Sequence, residues 1–392
     1  MTGMISSTCT TDARSPRPSG WSRLLPALLA LLVLSQPAVA GTSRPDKPAA
    51  WPVHVPDTGQ NACYDNLHRI ACPTPGAPFY GQDAEYLVNP PRCEKKTVAG
   101  ATLLIDHVTG LTWQLQTAPK PLDWSAALDY TDALALGGFT DWRLPESREL
   151  RTIMRFGEPG GKEKKEACRF PLPAGEPCFW SFTTRKFPAL DAQSVCLGAI
   201  NQVRDTNKDL KRAVRAVRGK PLPGPSFRDN GDGTVTDLST GLVWQQTETR
   251  PMTWQQALAY CERLELAGHR DWRLPSIREL QTLVDPRLQE PALDSKVFPG
   301  CRPEPYWSST TRSDRPAFAW TMDFSTGLEY DGGYKTRLYS VRAVRGGDVQ
   351  RRQPAVKSRP LPRPAAQPEK KIHPFPRPAG KGELLEPLPL EM

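Results

Sequence analysis

The stretch Asp271-Trp-Arg-Leu-Pro-Ser-Ile-Arg-Glu-Leu280 decides the reading of this chain. Asp141-Trp-Arg-Leu-Pro-Glu-Ser-Arg-Glu-Leu150 is its near copy, 130 residues earlier. Working outward, Thr109-Gly-Leu-Thr-Trp113 returns as Thr240-Gly-Leu-Val-Trp244, and Trp124 with Ala127, Leu128 and Tyr130 returns as Trp254 with Ala257, Leu258 and Tyr260. Downstream, Phe179-Trp-Ser181 answers Tyr306-Trp-Ser308, and Val214-Arg-Ala-Val-Arg-Gly219 answers Val341-Arg-Ala-Val-Arg-Gly346. The order is kept and the offsets run from 131 down to 127 residues. Self-similarity at one period marks a repeated folding unit.

Each copy reads as α+β: two short helices among small antiparallel strands. In the second copy, Asp229-Asn-Gly-Asp-Gly-Thr-Val-Thr-Asp237 carries Asn-Gly and Asp-Gly turn signals beside an alternating strand, which predicts a hairpin. Thr253 and Gln256 form a capping box, and Ala257, Leu258, Cys261 and Leu264 share one apolar stripe, with Gly268 as the expected C-cap. Ser276 and Glu279 cap a second helix whose Leu280, Leu283 and Val284 face inward. Strands follow over Tyr306–Thr310, Ala317–Phe324 and Tyr339–Arg345.

The flanks differ in kind. Arg14, Arg17 and Arg23, the apolar run Leu24–Leu34 and the small-x-small site Ala38-Val-Ala40 read as a signal peptide over residues 1–40. The run is too short to cross a bilayer, so no transmembrane segment is expected after cleavage. A Pro- and Gly-rich leader with three cysteines occupies 41–97, the two copies 98–219 and 225–347 with a linker at 220–224, and a basic tail 348–392. That tail holds ten prolines in 45 residues and should be extended and mobile.

Eight cysteines remain after residue 40, an even number that suits disulfides in an oxidising compartment. About a hundred pairings are open to eight cysteines. Two are favoured on the sequence: Cys63–Cys72 as a short local loop, and Cys261–Cys301 as the two cysteines of the second copy. No Cys-x-x-Cys occurs and the five histidines are scattered, so neither a metal nor any other cofactor is expected. The net charge of +9 falls to +7 without residues 1–40, an excess that favours acidic polysaccharides or anionic surfaces. An exported protein has no call to bind nucleic acid. The destination (periplasm, outer surface or medium) and the oligomeric state stay open.

Taken together, the acidic hairpin, Thr-Gly-Leu-x-Trp, Asp-Trp-Arg-Leu-Pro, Tyr306-Trp-Ser-Ser-Thr310 and Val-Arg-Ala-Val-Arg-Gly resemble the Lcl C-terminal domain family, named after a bacterial collagen-like adhesin. Asp57-Thr-Gly-Gln-Asn-Ala-Cys-Tyr64 and Phe79-Tyr-Gly-Gln-Asp83 resemble the leader found before such domains in secreted proteins. The resemblance implies two tandem C-type-lectin-like domains and, for the founding adhesin, binding of sulfated, acidic polysaccharides. Members often place a cysteine in the last strand where Ala216 and Ala343 stand here, so the usual helix-to-strand disulfide is missing and Cys261 needs another partner.

Candidate ligand groups are the cations Lys162, Lys164, Lys165 and Arg169, in a long loop of the first copy, and Lys208, Lys211, Arg212 and Arg215 near its end. Guanidinium forks match sulfate and carboxylate geometry. Trp142, Trp272, Trp180 and Trp307 read as core rather than sugar-stacking rings. Arg143 and Arg273 are expected to pair with the Glu149 and Glu279 regions. The turn carboxylates Asp229, Asp232 and Asp237 lack the spacing of a calcium loop and read as hairpin residues. Trp-Arg-Leu-Pro before a Glu-bearing helix also echoes formylglycine-generating enzymes. Those need two reactive cysteines close together late in the domain, and neither copy has them, so an enzyme is not expected. The expectation is an exported binding protein for adhesion or envelope function, with a structural or protein-interaction role as the alternative.

Overall fold

The computed structural model describes residues 53–157, 168–175, 177–184, 190–198, 201–347 and 349–352. The signal-peptide region and most of the tail lie outside these residues, as do Lys162, Lys164 and Lys165.

The leader contributes β1 (Cys63–Tyr64), β2 (Arg69–Ile70), a 3-10 turn at Asp83–Glu85 and β3 (Tyr86–Val88). Copy one follows with β4 (Cys93–Val98), β5 (Ala101–Asp106), β6 (Thr112–Gln114), α1 (Trp124–Asp132), α2 (Ser147–Thr152), β7 (Cys178–Thr184), β8 (Asp191–Cys196), β9 (Gln202–Asn207) and β10 (Val217–Arg218). Copy two repeats the order: β11 (Phe227–Asp229), β12 (Thr234–Asp237), β13 (Val243–Gln245), α3 (Trp254–Arg263), α4 (Ile277–Thr282), β14 (Pro305–Thr311), β15 (Phe318–Asp323), β16 (Leu328–Tyr334) and β17 (Val344–Arg345). The architecture is α+β, with each copy holding a four-stranded sheet (β4-β5-β6-β10 or β11-β12-β13-β17) and a three-stranded one (β7-β8-β9 or β14-β15-β16), all antiparallel.

The local signals explain where the elements start. Thr253 accepts from Gln256 N and Ser276 from Glu279 N, so both capping boxes of copy two form. Such caps satisfy amide groups that a helix N-terminus leaves without partners. Gly268 is not the C-cap of α3, because the helix already ends at Leu264. The chain then turns, and Gly268, at φ +74°, sits between Leu266 and His269, whose backbones pair. Copy two's third strand, β16, lies beyond the Ser325-Thr-Gly327 turn and was not expected from the sequence.

Tryptophans anchor both copies at matched positions. The indole N–H of Trp180 donates to Leu122 O and that of Trp307 to Met252 O, both at 2.8 Å. Trp142 and Trp272 donate to Leu136 O and Leu266 O at 3.1 and 3.3 Å. All four rings are buried. An indole buries about 200 Å²; at 25 cal/mol per Å² that is about 5 kcal/mol per ring. The donated hydrogen bond removes the penalty of burying its polar edge.

One apolar cluster runs through both copies, joining Leu104, Trp113 and Phe179 to Trp244, Tyr306 and Trp320. At the seam, Phe156 meets Trp320 edge to face at 5.1 Å, and Arg151 pairs with Glu329 at 2.7 Å. Arg278 crosses to the carbonyls of Arg151 and Met154. The two repeats are therefore welded rather than strung on a linker.

Two expectations about the flanks need correction. The leader is not a separate segment: Cys93–Val98 is the edge strand of copy one's sheet, and the rest packs mainly on copy two. The tail does not become irregular at residue 348, since Val349–Arg351 forms β18, which pairs with β3 of the leader. The pairing closes the chain on itself.

Three disulfides form: Cys63–Cys72, as expected, Cys93–Cys168 and Cys178–Cys196. Cys261–Cys301 does not form, and both thiols are free and buried. Cys261 faces a cluster of Trp254, Trp272, Trp307 and Ala343, whereas Cys301 belongs to the cluster that runs through both copies, its sulfur 3.3 Å from the Tyr306 hydroxyl. Their helix and loop face different cores.

Candidate ligand-binding surfaces

Among the described residues, the cations singled out from the sequence sit in different settings. Arg215 is fully buried and donates to the carbonyls of Gln114 and Pro171 at 2.8 Å, with its guanidinium 4.5 Å from the Phe170 ring centre. Burial pulls its pKa down to about 9. It is a packing residue, which corrects its assignment as a ligand group: backbone carbonyls on two segments hold its guanidinium inside. Arg342 repeats the arrangement with Glu248 as an added acidic partner at 3.2 Å. Arg169 and Lys211 are exposed, Arg212 is half-buried, and Lys208 lies 4.6 Å over the Trp124 ring.

Other polar motifs are structural. Arg143 and Arg273 hold Glu149 and Glu279 through paired hydrogen bonds of 2.6–2.7 Å, as the sequence suggested. Asp229, Asp232 and Asp237 accept from turn groups at Gly231, Thr234 and Ser239, so the acidic hairpin uses its carboxylates on its own backbone. Burial raises the pKa of both free thiols, the opposite of the shift that activates a cysteine.

Sequence reasoning missed an aromatic shelf. On the third sheet strand of copy two, Tyr330 and Tyr334 are each 47 % exposed. Phe318 on the neighbouring strand lies against Tyr334 with ring centres 4.0 Å apart, and the Arg337 guanidinium is 5.8 Å from the Tyr334 ring. A side chain at Gly332 would collide with the Tyr330 ring, at 2.5 Å, so the glycine lets that ring lie flat on the strand. Copy one has Asp191, Val203 and Asn207 at the matching places and Leu210, Lys211 and Arg212 where copy two has Arg337, Leu338 and Tyr339. At that turn copy one carries Lys211 and Arg212, whereas copy two sets Arg337 beside the exposed tyrosines of its third strand. The signal in the sequence was that Tyr330 and Tyr334 have no aromatic counterparts.

A second surface distinguishes the copies. On copy two the leader is seated against α3 and β14. The Gln60 amide bonds both the carbonyl and the amide of Thr311, at 2.6 and 2.9 Å, in the manner of a strand pair. Asp83 accepts from Thr310 at 2.6 Å and from Thr58 at 2.8 Å. Phe79 lies 6.3 Å from the Trp254 ring, Tyr86 bonds Glu262, and Lys335 donates to Asp65 O while sitting 3.8 Å over Trp254. Desolvation raises Asp83 and Glu85 to about 7 and lowers Lys335 to about 6. On copy one the matching Trp124, Thr183 and Lys208 are only half-buried, and Phe182 is 55 % exposed.

A model of the Lcl C-terminal domain family matches residues 102–218 and again 233–345, more than half of the chain. No curated protein sequence matches the chain.

Proposed function

The chain belongs to the Lcl C-terminal domain family, and from that premise we propose that it is an exported, non-enzymatic binding protein whose ligand is an acidic polysaccharide. The reading includes a lectin-like fold for both copies. The observation that carries it is the aromatic shelf of Phe318, Tyr330 and Tyr334 with Arg337 at its edge. Large rings left in water forgo burial energy, and a patch of them marks a surface that is covered in use. The apolar faces of pyranose rings stack on such rings, while a guanidinium takes a carboxylate or sulfate. Lys211 and Arg212 present charge at the matching turn of copy one, so two weak sites on one rigid body reinforce each other.

Export is supported by the basic and apolar N-terminus and by three disulfides. Among the described residues no helix is long and apolar enough to cross a membrane. An oxidase of the formylglycine type is opposed by two free thiols shut in separate cores.

The test is a glycan array probed with the mature chain at two salt concentrations, with and without calcium. Binding of sulfated or uronic-acid glycans that weakens with salt, ignores calcium and drops about tenfold in Tyr334→Ala is the expected result. A blank array contradicts the proposal and moves the function to the alternative, a protein-binding or structural envelope role.

A further inference from the structure

The leader shows what one face of this domain binds, because copy two is seen with that face filled. The recognition set is small: a tryptophan opening the first helix (Trp254), a threonine pair at the end of the first sheet strand (Thr310 and Thr311), and a lysine after the third strand (Lys335). Copy one repeats each element in place. Trp124 opens α1, Thr183 and Thr184 end β7 beyond the same register shift, and Lys208 follows β9. The strand geometry is preserved as well: Thr183 Oγ1 accepts from Ser147 N at 3.0 Å, as Thr310 Oγ1 accepts from Ile277 N at 3.0 Å.

Exposure is what differs among the described residues. Thr310, Thr311, Trp254 and Lys335 are each no more than 1 % exposed beneath the leader. Phe182 of copy one stands 55 % exposed where Ser309 of copy two is 1 % exposed. The leader is held by the second copy of its own chain.

We propose that the face of copy one bounded by Trp124, Phe182, Thr183 and Lys208 is a docking site for an extended segment of another exported polypeptide with the chemistry of this chain's leader. That chemistry is an aromatic ring, a carboxylate four residues later and a backbone carbonyl within reach of the lysine. In copy two those roles fall to Phe79, Asp83 and Asp65. The ring packs on the tryptophan, the carboxylate accepts from the threonine hydroxyl, and a side-chain amide bonds the backbone at the end of β7 as Gln60 bonds Thr311 in copy two. Phe182 widens the apolar contact where copy two has only Ser309. This inference stands apart from the polysaccharide reading, which rests on the opposite chemistry of the aromatic shelf.

The experiment titrates the full mature chain into a fluorescently labelled peptide of residues 53–90 of this same sequence, with its Cys63–Cys72 bond closed. Saturable one-to-one binding, weakened about tenfold by Thr183→Val and by Lys208→Met but unchanged by Thr310→Val, is the result expected. Melting temperatures of the three variants establish that each still folds. Absence of saturation up to ~1 mM, a weakness of about 4 kcal/mol, overturns the proposal. So does binding that responds to Thr310→Val alone, which would be exchange with the chain's own leader. Displacement of the peptide by a heparin fragment, with both copy-one variants inert, also overturns it.

Discussion

The two copies share a fold and differ in what covers them. Copy two keeps its tryptophan, threonine pair and lysine sealed under the leader, while copy one leaves the same positions half-exposed and spends its cysteines instead on Cys93–Cys168 and Cys178–Cys196. Copy two has no disulfide among its described residues; its Cys261 stays reduced in a tryptophan-lined core. Non-covalent docking and covalent bridging thus stabilise the two halves by different means. A duplicated domain can hold one face for internal assembly and release the same face in its twin for an outside partner.

The comparison is broken most severely at the helix-opening tryptophans. Trp254→Ala should cost about 3–5 kcal/mol, the range for a fully buried large side chain, because the ring is 0 % exposed and its N–H bonds Ser308 O. Trp124→Ala should cost less than half as much by denaturant titration, since its ring is only half-buried. Equal costs would show that the leader does not seal copy two.

Next in size is the covalent side. Replacing Cys178 and Cys196 by serine opens a bridge across 18 residues, and the expected loss is about 3 kcal/mol. Protease cleavage should then begin in copy one while copy two resists. Third, Gln60→Ala removes both hydrogen bonds to Thr311, for about 2 kcal/mol. Its effect should appear as faster proteolysis near Cys63–Cys72, with glycan binding untouched.

A pH titration sharpens the same contrast. Asp83 and Glu85 rise from 3.8 and 4.5 to about 7 in the folded chain, chiefly through burial, so their folded forms hold protons that the unfolded chain has released. Their contribution to stability is full below about pH 4 and is lost as pH climbs through 7. Lys335, lowered from 10.5 to about 6, acts in the opposite sense above pH 6. Between roughly pH 4.5 and 6 these carboxyls act without the lysine, joined by Asp57 and Asp237, which burial also raises, and the melting temperature should fall as pH rises. Asp83→Asn should flatten that slope. The smallest effect on stability belongs to Tyr334→Ala: under about 1 kcal/mol for an exposed side chain, while glycan retention falls.

What the sequence disclosed was whatever depends on neighbours in the chain. The capping boxes at Thr253 and Ser276, the hairpin at Asp229–Asp237 and the short Cys63–Cys72 loop are set within a few residues, and all formed. The repeat itself exposed the buried tryptophans, since a ring kept in both copies has a packing role. The leader's place was not legible, because Gln60 meets Thr311 across 251 residues and no local pattern encodes that. The Cys261–Cys301 pairing failed for the same reason: proximity in the repeat does not place two residues in one core. Among the ligand candidates, charge alone did not separate Arg215, held inward by backbone carbonyls, from Lys211 at the surface. Exposure, which picks out Tyr330 and Tyr334, is a property of the assembled sheet.

Amide hydrogen exchange on the mature chain, read at Thr310 and Thr311 against Thr183 and Thr184, tests the asymmetry of the two copies most directly. The account predicts slow exchange at the first pair, at least at the Thr311 amide that bonds Gln60, and exchange faster by about a hundredfold at the second. Equal protection at the two pairs would contradict it, for then either the leader does not seal copy two or copy one's face is already occupied.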